Sequence, residues 1–113
     1  MSGTQLSSDG LDPRRRKILF RAWHRGTREM DLVMGRFADS FLATLSDEQL
    51  DDFEALIEVP DRDLFAWVTG EAATPDNWNS PVMRALAAFH GQVKGTEPDA
   101  DSARAVLEQR AGA

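Results

Sequence analysis

The sequence contains no cysteine, which removes disulfides, thiolate metal sites, iron–sulfur clusters and a cysteine nucleophile together. Its two histidines, His24 and His90, stand at no ligand spacing and are too few for a histidine-built metal centre. No stretch approaches the roughly 18 consecutive apolar residues of a membrane-spanning helix, so direct membrane insertion is not expected. The opening MSGTQLSSDGLDP has no apolar run of the kind a secretory signal needs. Asp9 and Asp12 go against a mitochondrial presequence, which is Arg-rich and poor in acids, and the expected compartment is the cytoplasm. Phosphate-cradling glycine loops and the H-E-x-x-H and G-x-S-x-G patterns are missing as well.

What is present fits one small domain. The chain has 113 residues and a mass of 12.5 kDa, with 42% hydrophobic and 28% charged residues, an ordinary globular composition and not that of a disordered chain. The net charge is −6, unfavourable for nucleic acid or an anionic membrane surface. That total hides a split. Residues 1–45 carry eight Arg/Lys against five Asp/Glu, a net of +3, and residues 46–113 carry five against fourteen, a net of −9.

The pattern along the chain is helical throughout. Asp12-Pro13 is a cap followed by a first-turn proline, and Ile18, Leu19, Ala22 and Trp23 recur at helical spacing. Gly26 interrupts the pattern. Met30, Val33, Met34, Phe37, Phe41 and Leu45 then form the clearest helical stripe, with Gly35 inside it as a place for a close helix crossing. In Leu45-Ser46-Asp47-Glu48-Gln49-Leu50, Ser46 and Gln49 have the spacing of a capping box, and Leu45 and Leu50 that of a hydrophobic staple. The helix that follows turns Leu50, Phe53, Leu56 and Ile57 inward and Asp51, Asp52, Glu54 and Glu58 outward, a solvated face. Pro60 ends it and Asp61 is expected to cap the next helix, with Leu64, Phe65, Trp67 and Val68, which Gly70 stops. Residues 71–79 read as a loop. Ser80-Pro81 opens a fifth helix carrying Val82, Met83, Leu86, Phe89 and Val93, with His90 as a cation near its C-terminus. No segment alternates like a strand. The expected fold is therefore all-α, a small single-domain bundle of about five short helices. Its parts are a flexible N-terminus over residues 1–11, the helical bundle over 12–94, and a polar C-terminal tail over 95–113, partly helical across 102–110.

The segment RRRKILFRAWHRGTRE, residues 14–29, explains the basic half. With residues 13–25 helical, Arg14, Lys17, Arg21 and Arg25 form a stripe on one face. Like charges at those spacings repel by about 0.2–0.5 kcal/mol per pair. The stripe is open to two readings: arginine stems covering apolar surface with their heads in water, or a docking face for an anionic partner. At its end lies Arg25-Gly26-Thr27-Arg28-Glu29. Gly26 suggests a sharp corner or a close approach of backbone, and Arg25 and Arg28 carry planar forks suited to carboxylate or phosphate. Glu29 is spaced to pair with Arg25, in the weaker orientation. The residues alone leave a helix–helix turn with a local ion pair and a recognition site both open.

These residues carry a family resemblance. RAWHRGTREMDLVMGRF, residues 21–37, resembles the SdhE family, the FAD assembly (flavinylation) factors of succinate dehydrogenase. The family's R-G-x-x-E motif is matched by Arg25, Gly26 and Glu29. LSDEQLDDFEALIEVPDRDLFAWVTG, residues 45–70, resembles the family's second block, including Asp63, Leu64, Phe65 and Trp67. The resemblance covers roughly residues 14–90; the tail after residue 95 and the N-terminal lead find no counterpart. It implies a small helical bundle that is not itself an enzyme. It also implies binding to the flavoprotein subunit of succinate dehydrogenase, in some bacteria also that of fumarate reductase, and promotion of covalent FAD attachment to a histidine of that subunit. On this reading no cofactor is bound stably by the chain, and FAD is the partner's cofactor. The expected contact residues are Arg25, Gly26, Arg28 and Glu29, flanked by Arg21, His24 and Asp31. Phe37, Phe41, Phe53 and Phe65 are expected in the core, and Trp67 either there or at an interface. A competing reading is an antitoxin-like or regulatory interaction protein that uses the same basic corner. A DNA-binding domain built on RRRK is disfavoured by the acidic remainder.

Overall fold

The computed structural model describes residues 10–91 and 100–108. Among them lie six α-helices and two short 3-10 turns, and no strand, so the expectation of an all-helical chain holds: five helices as expected for the bundle, and a sixth in the tail. Most of the predicted flexible N-terminus, the last residues of the predicted bundle with Val93, and both ends of the predicted tail fall outside the described residues.

The chain forms two compact units, one reaching to Leu50 and one starting at Asp51. In the first, α1 (Pro13–Ala22) starts as its sequence dictates: Asp12 accepts from the Arg15 amide at 2.8 Å, with Pro13 in the first helical position. The helix α2 (Arg28–Phe41) is capped by Thr27, whose hydroxyl accepts from the Met30 amide at 3.2 Å. It buries Met30, Val33, Met34, Phe37 and Phe41, the stripe read from the sequence. Phe37 and Phe41 meet with ring centroids 5.0 Å apart. A 3-10 turn, Leu42–Thr44, follows.

Helix α3 (Asp47–Ile57) spans the division between the units. Its start is a complete capping box: the Gln49 amide donates to Ser46 Oγ at 3.2 Å, and the Ser46 amide donates to Gln49 Oε1 at 2.9 Å.

In the second unit, α4 (Asp61–Thr69) begins one residue earlier than its expected cap implies. Pro60 holds the cap position with no side-chain bond, and its carbonyl accepts from the Leu64 amide at 3.1 Å. Asp61 is thus not the cap but the first helical residue, where its charge still favours the helix dipole. Gly70 ends α4 in the left-handed region at φ 83°. The loop that follows is not wholly irregular, since Asp76–Trp78 form a 3-10 turn. It brings the half-buried Trp78 ring 6.0 Å from that of Trp67. Phe65, expected in the core, is half-buried too. Ser80 caps α5 (Pro81–Gly91) through the Met83 amide at 3.1 Å, and α5 packs against α4 and against α6 (Ala100–Glu108). The tail helix therefore starts two residues before its expected position and buries Ala103.

Candidate functional site

The candidate residues lie in the first unit, at the turn between α1 and α2. A helix running through residue 25 would carry four basic residues in a stripe. The structure ends the helix at Ala22, with Trp23 at the C-cap (φ −91°, ψ 0°). Arg14, Lys17 and Arg21 remain on the helix, and Arg25 falls in the turn. The stripe is thereby shortened, and Arg25 is placed beside Gly26 and Arg28 instead.

Several contacts set the shape of this turn. Gly26 has φ 112°, a conformation that side chains attached to L-residues rarely adopt. Its missing β-carbon would meet nothing within 4 Å, so glycine is required here by the backbone turn and not by crowding inside the molecule. The Arg25 amide donates to Asp31 Oδ1 at 2.6 Å, and Thr27 caps α2. Before the turn, buried Trp23 donates from Nε1 to Asp39 Oδ1 at 3.1 Å. Its ring lies over Gly35, where a β-carbon would stand no more than 2.7 Å from three ring carbons. The close approach expected at Gly35 is thus made by this indole. Both ends of the corner are held while its tip is open: His24, Gly26, Thr27, Arg28 and Glu29 are exposed, and Arg21, Arg25 and Asp31 are half-buried.

Glu29 lies in the first turn of α2, where the helix dipole favours a carboxylate. The carboxylate that bonds the Arg25 backbone is that of Asp31, two residues further on. The bond to Asp31 joins residues six apart, from the turn into α2, which no helical spacing rule anticipates.

Two further residues stand out in the structure. Arg15, first of the two inner arginines of RRRK, is structural. Its Nε donates to the Leu42 carbonyl at 2.9 Å, a second guanidinium nitrogen reaches the Leu45 carbonyl, and a third contacts the Asp12 carboxylate. It ties α1 to the 3-10 turn after α2, which leaves Arg16 and Lys17 exposed beside it. The Arg15 amide, and next its guanidinium, hold the Asp12 carboxyl below the usual carboxylate range. Phe20 is the second. It is 63% exposed, the only large hydrophobic side chain so placed among the described residues.

The arrangement offers an exposed corner that carries arginines. Among the described residues no cluster of acidic or histidine side chains is placed to hold a metal, and no helix is long and apolar enough to cross a membrane. The chemistry available is recognition of a carboxylate-bearing surface by arginine forks.

Comparison with known proteins gives a consistent picture. Residues 16–90 match the family Sdh5, described as flavinator of succinate dehydrogenase. The FAD assembly factor SdhE of Acetobacter pasteurianus is 36% identical over 85 residues, which cover 75% of this chain and 78% of that protein. The mitochondrial succinate dehydrogenase assembly factor 2 of Debaryomyces hansenii is 33% identical over 73% of this chain and 61% of its own length. That of Dictyostelium discoideum is 32% identical over 66% of this chain and 52% of its own. The chain thus spans about half to three fifths of these mitochondrial relatives and over three quarters of the bacterial one. No solved structure matches significantly.

Proposed function

The chain belongs to the Sdh5 family of succinate dehydrogenase flavinators, and from that premise we propose that it docks on the flavoprotein subunit of succinate dehydrogenase and promotes covalent attachment of FAD there. The observation that carries the docking part of this reading is the Gly26 corner. Its backbone conformation is fixed by Gly26, Thr27 and Asp31 while Arg28 and Glu29 stand in solvent. A corner held in shape before binding loses little freedom on docking.

The chain acts without catalytic groups of its own. The bond between flavin and subunit is made by those two, and this protein binds the subunit conformer in which the reacting atoms are aligned, raising its population. FAD is the partner's cofactor and is not held stably by this chain. Arg25 and Arg28 meet carboxylates of the subunit, Glu29 meets a cation there, and Arg21, His24 and Asp31 border the contact. The related flavoprotein subunit of fumarate reductase is a second client, and the docking takes place in the cytoplasm.

Co-expression with the flavoprotein subunit tests this reading, with in-gel flavin fluorescence after denaturation as the measure of covalent FAD. The signal is expected with the wild-type chain and strongly reduced without it. Gly26→Arg adds a long side chain to the exposed corner and also strains the backbone at φ 112°, and is expected to reduce the signal while circular dichroism still shows a folded helical protein. Covalent flavin that is unchanged when the chain is absent overturns the proposal.

A further inference from the structure

Phe20 is exposed for no reason the fold supplies. A phenylalanine in water leaves most of its hydrophobic burial unused, and the neighbouring Ile18, Leu19 and Ala22 are all buried. Its ring is not without a partner. It stacks on the His24 imidazole with centroids 3.9 Å apart and planes 18° from parallel. The end of α1 fixes this stack. The last carbonyls of a helix lack intrahelical donors, and the His24 amide donates to the Arg21 carbonyl at 3.3 Å. The Phe20 carbonyl is met instead by the His24 ring, with Nδ1 at 2.7 Å. A carbonyl oxygen only accepts, so Nδ1 is the donor of this bond. One hydrogen bond thus closes the helix and lays the imidazole beneath the phenyl ring.

The stack adjoins the docking corner. His24 is followed directly by Arg25 and Gly26, and on α1 the exposed Arg16 and Lys17 lie one turn before Phe20 on the same face. An exposed aromatic ring held in a stack, with cations before it on α1 and after it at the corner, has the form of an interface anchor, an apolar centre beside a polar rim.

We propose that the Phe20–His24 stack is the anchor of the docking face, entering an apolar recess of the flavoprotein subunit whose rim carries carboxylates. Charge complementarity selects this occupant: from Arg14 to Arg28 the chain carries seven Arg/Lys and no Asp/Glu, so a recess rimmed by cations is repelled. The assignment rests on the docking reading above and adds to it where the energy of the contact is concentrated. The arginines set encounter rate and orientation, and Phe20 sets how long the complex lasts.

Titration of the purified full chain against the purified flavoprotein subunit, at two salt concentrations, tests this. Phe20→Ala is expected to weaken binding by at least about 30-fold, the loss typical of an anchor residue, with the salt dependence of the wild type. Phe20→Tyr, which keeps the ring, is expected to restore most of the affinity. Arg28→Ala is expected to flatten the salt dependence instead. Because Phe20 is exposed, its variants are expected to melt within a few degrees of the wild type. If Phe20→Ala binds as tightly as the wild type, the anchor assignment is overturned while docking itself stands. If the wild-type chain does not bind the subunit at all, both fall together.

Discussion

The indole of Trp23 lies flat against the backbone at Gly35, occupying the space a β-carbon would need. This contact couples the end of α1 to the middle of α2, immediately before the exposed corner. Helix propensity favours alanine over glycine at position 35 by about 1 kcal/mol, so Gly35→Ala would stabilise a helix free of neighbours. Here the added carbon meets Trp23 Cδ2, Cε2 and Cε3, and the ring is 6% exposed and bonded to Asp39. Overpacking of this kind costs about 1–3 kcal/mol and outweighs the propensity gain. Urea denaturation of Gly35→Ala is expected to show a net loss, together with a shift in Trp23 fluorescence as the ring is displaced.

The three consecutive arginines of α1 are expected to separate by role. Arg15 is half-buried, and its fork spans two carbonyls and a carboxylate; Arg16 is exposed. Arg15→Ala is expected to cost about 2 kcal/mol, the loss of charge-assisted bonds to partly buried carbonyls. Arg16→Ala is expected to stay within about 0.5 kcal/mol of the wild type. Arg15→Lys separates charge from shape. Lysine keeps the charge but presents one nitrogen where the fork presents three, so the variant is expected to lie closer to Arg15→Ala than to the wild type in a denaturation midpoint.

The helices were legible in the sequence wherever apolar spacing and caps acted together. The α2 stripe is buried as read, and the Ser46–Gln49 capping box forms both of its bonds. The corner was legible as a place and not as a shape. Nothing in Trp23-His24-Arg25 forbids another helical turn, so the end of α1 at Ala22 is set by the chain around it. The Trp23 bond to Asp39 and the Asp31 bond to the Arg25 amide are contacts between segments, beyond the reach of spacing rules. Phe20 is a different case. Spacing sets it apart from the Ile18, Leu19, Ala22 and Trp23 stripe, on the face of Arg16 and Lys17, and what only the three-dimensional placement shows is its stack on His24.

Asp31 offers a way to tell corner geometry from direct contact. If it serves docking by holding the Arg25 amide, Asp31→Asn keeps an acceptor oxygen at the same position and is expected to dock nearly as the wild type does. Asp31→Ala leaves the amide without that acceptor and is expected to weaken docking, since the loosened corner must be reordered on binding. Its folding stability is expected to fall by no more than about 1–2 kcal/mol. Amide exchange at Arg25 provides the structural readout, with faster exchange in Asp31→Ala and near-native exchange in Asp31→Asn. Equal loss of docking in both variants would show instead that the Asp31 charge meets a cation on the partner.

Acid should act on the start of α1 through Asp12. Its carboxyl titrates below the usual carboxylate range because the charged form accepts from the Arg15 amide and faces the Arg15 guanidinium. A carboxyl whose folded pKa is depressed contributes stability that is fully present above its unfolded pKa. That contribution is lost as pH falls through the folded value. Asp12→Asn isolates the charge, because asparagine is itself a good helix cap. The wild type is expected to melt above Asp12→Asn at neutral pH, and the gap is expected to narrow below about pH 4 and close once Asp12 is protonated in the folded state. The pair is solvent-exposed on the Asp12 side, so added salt at neutral pH is expected to narrow the same gap. Thermal melts followed by circular dichroism across pH and ionic strength measure both effects; a gap that stays constant through acid would place the stabilising role of Asp12 in its cap geometry and not in its charge.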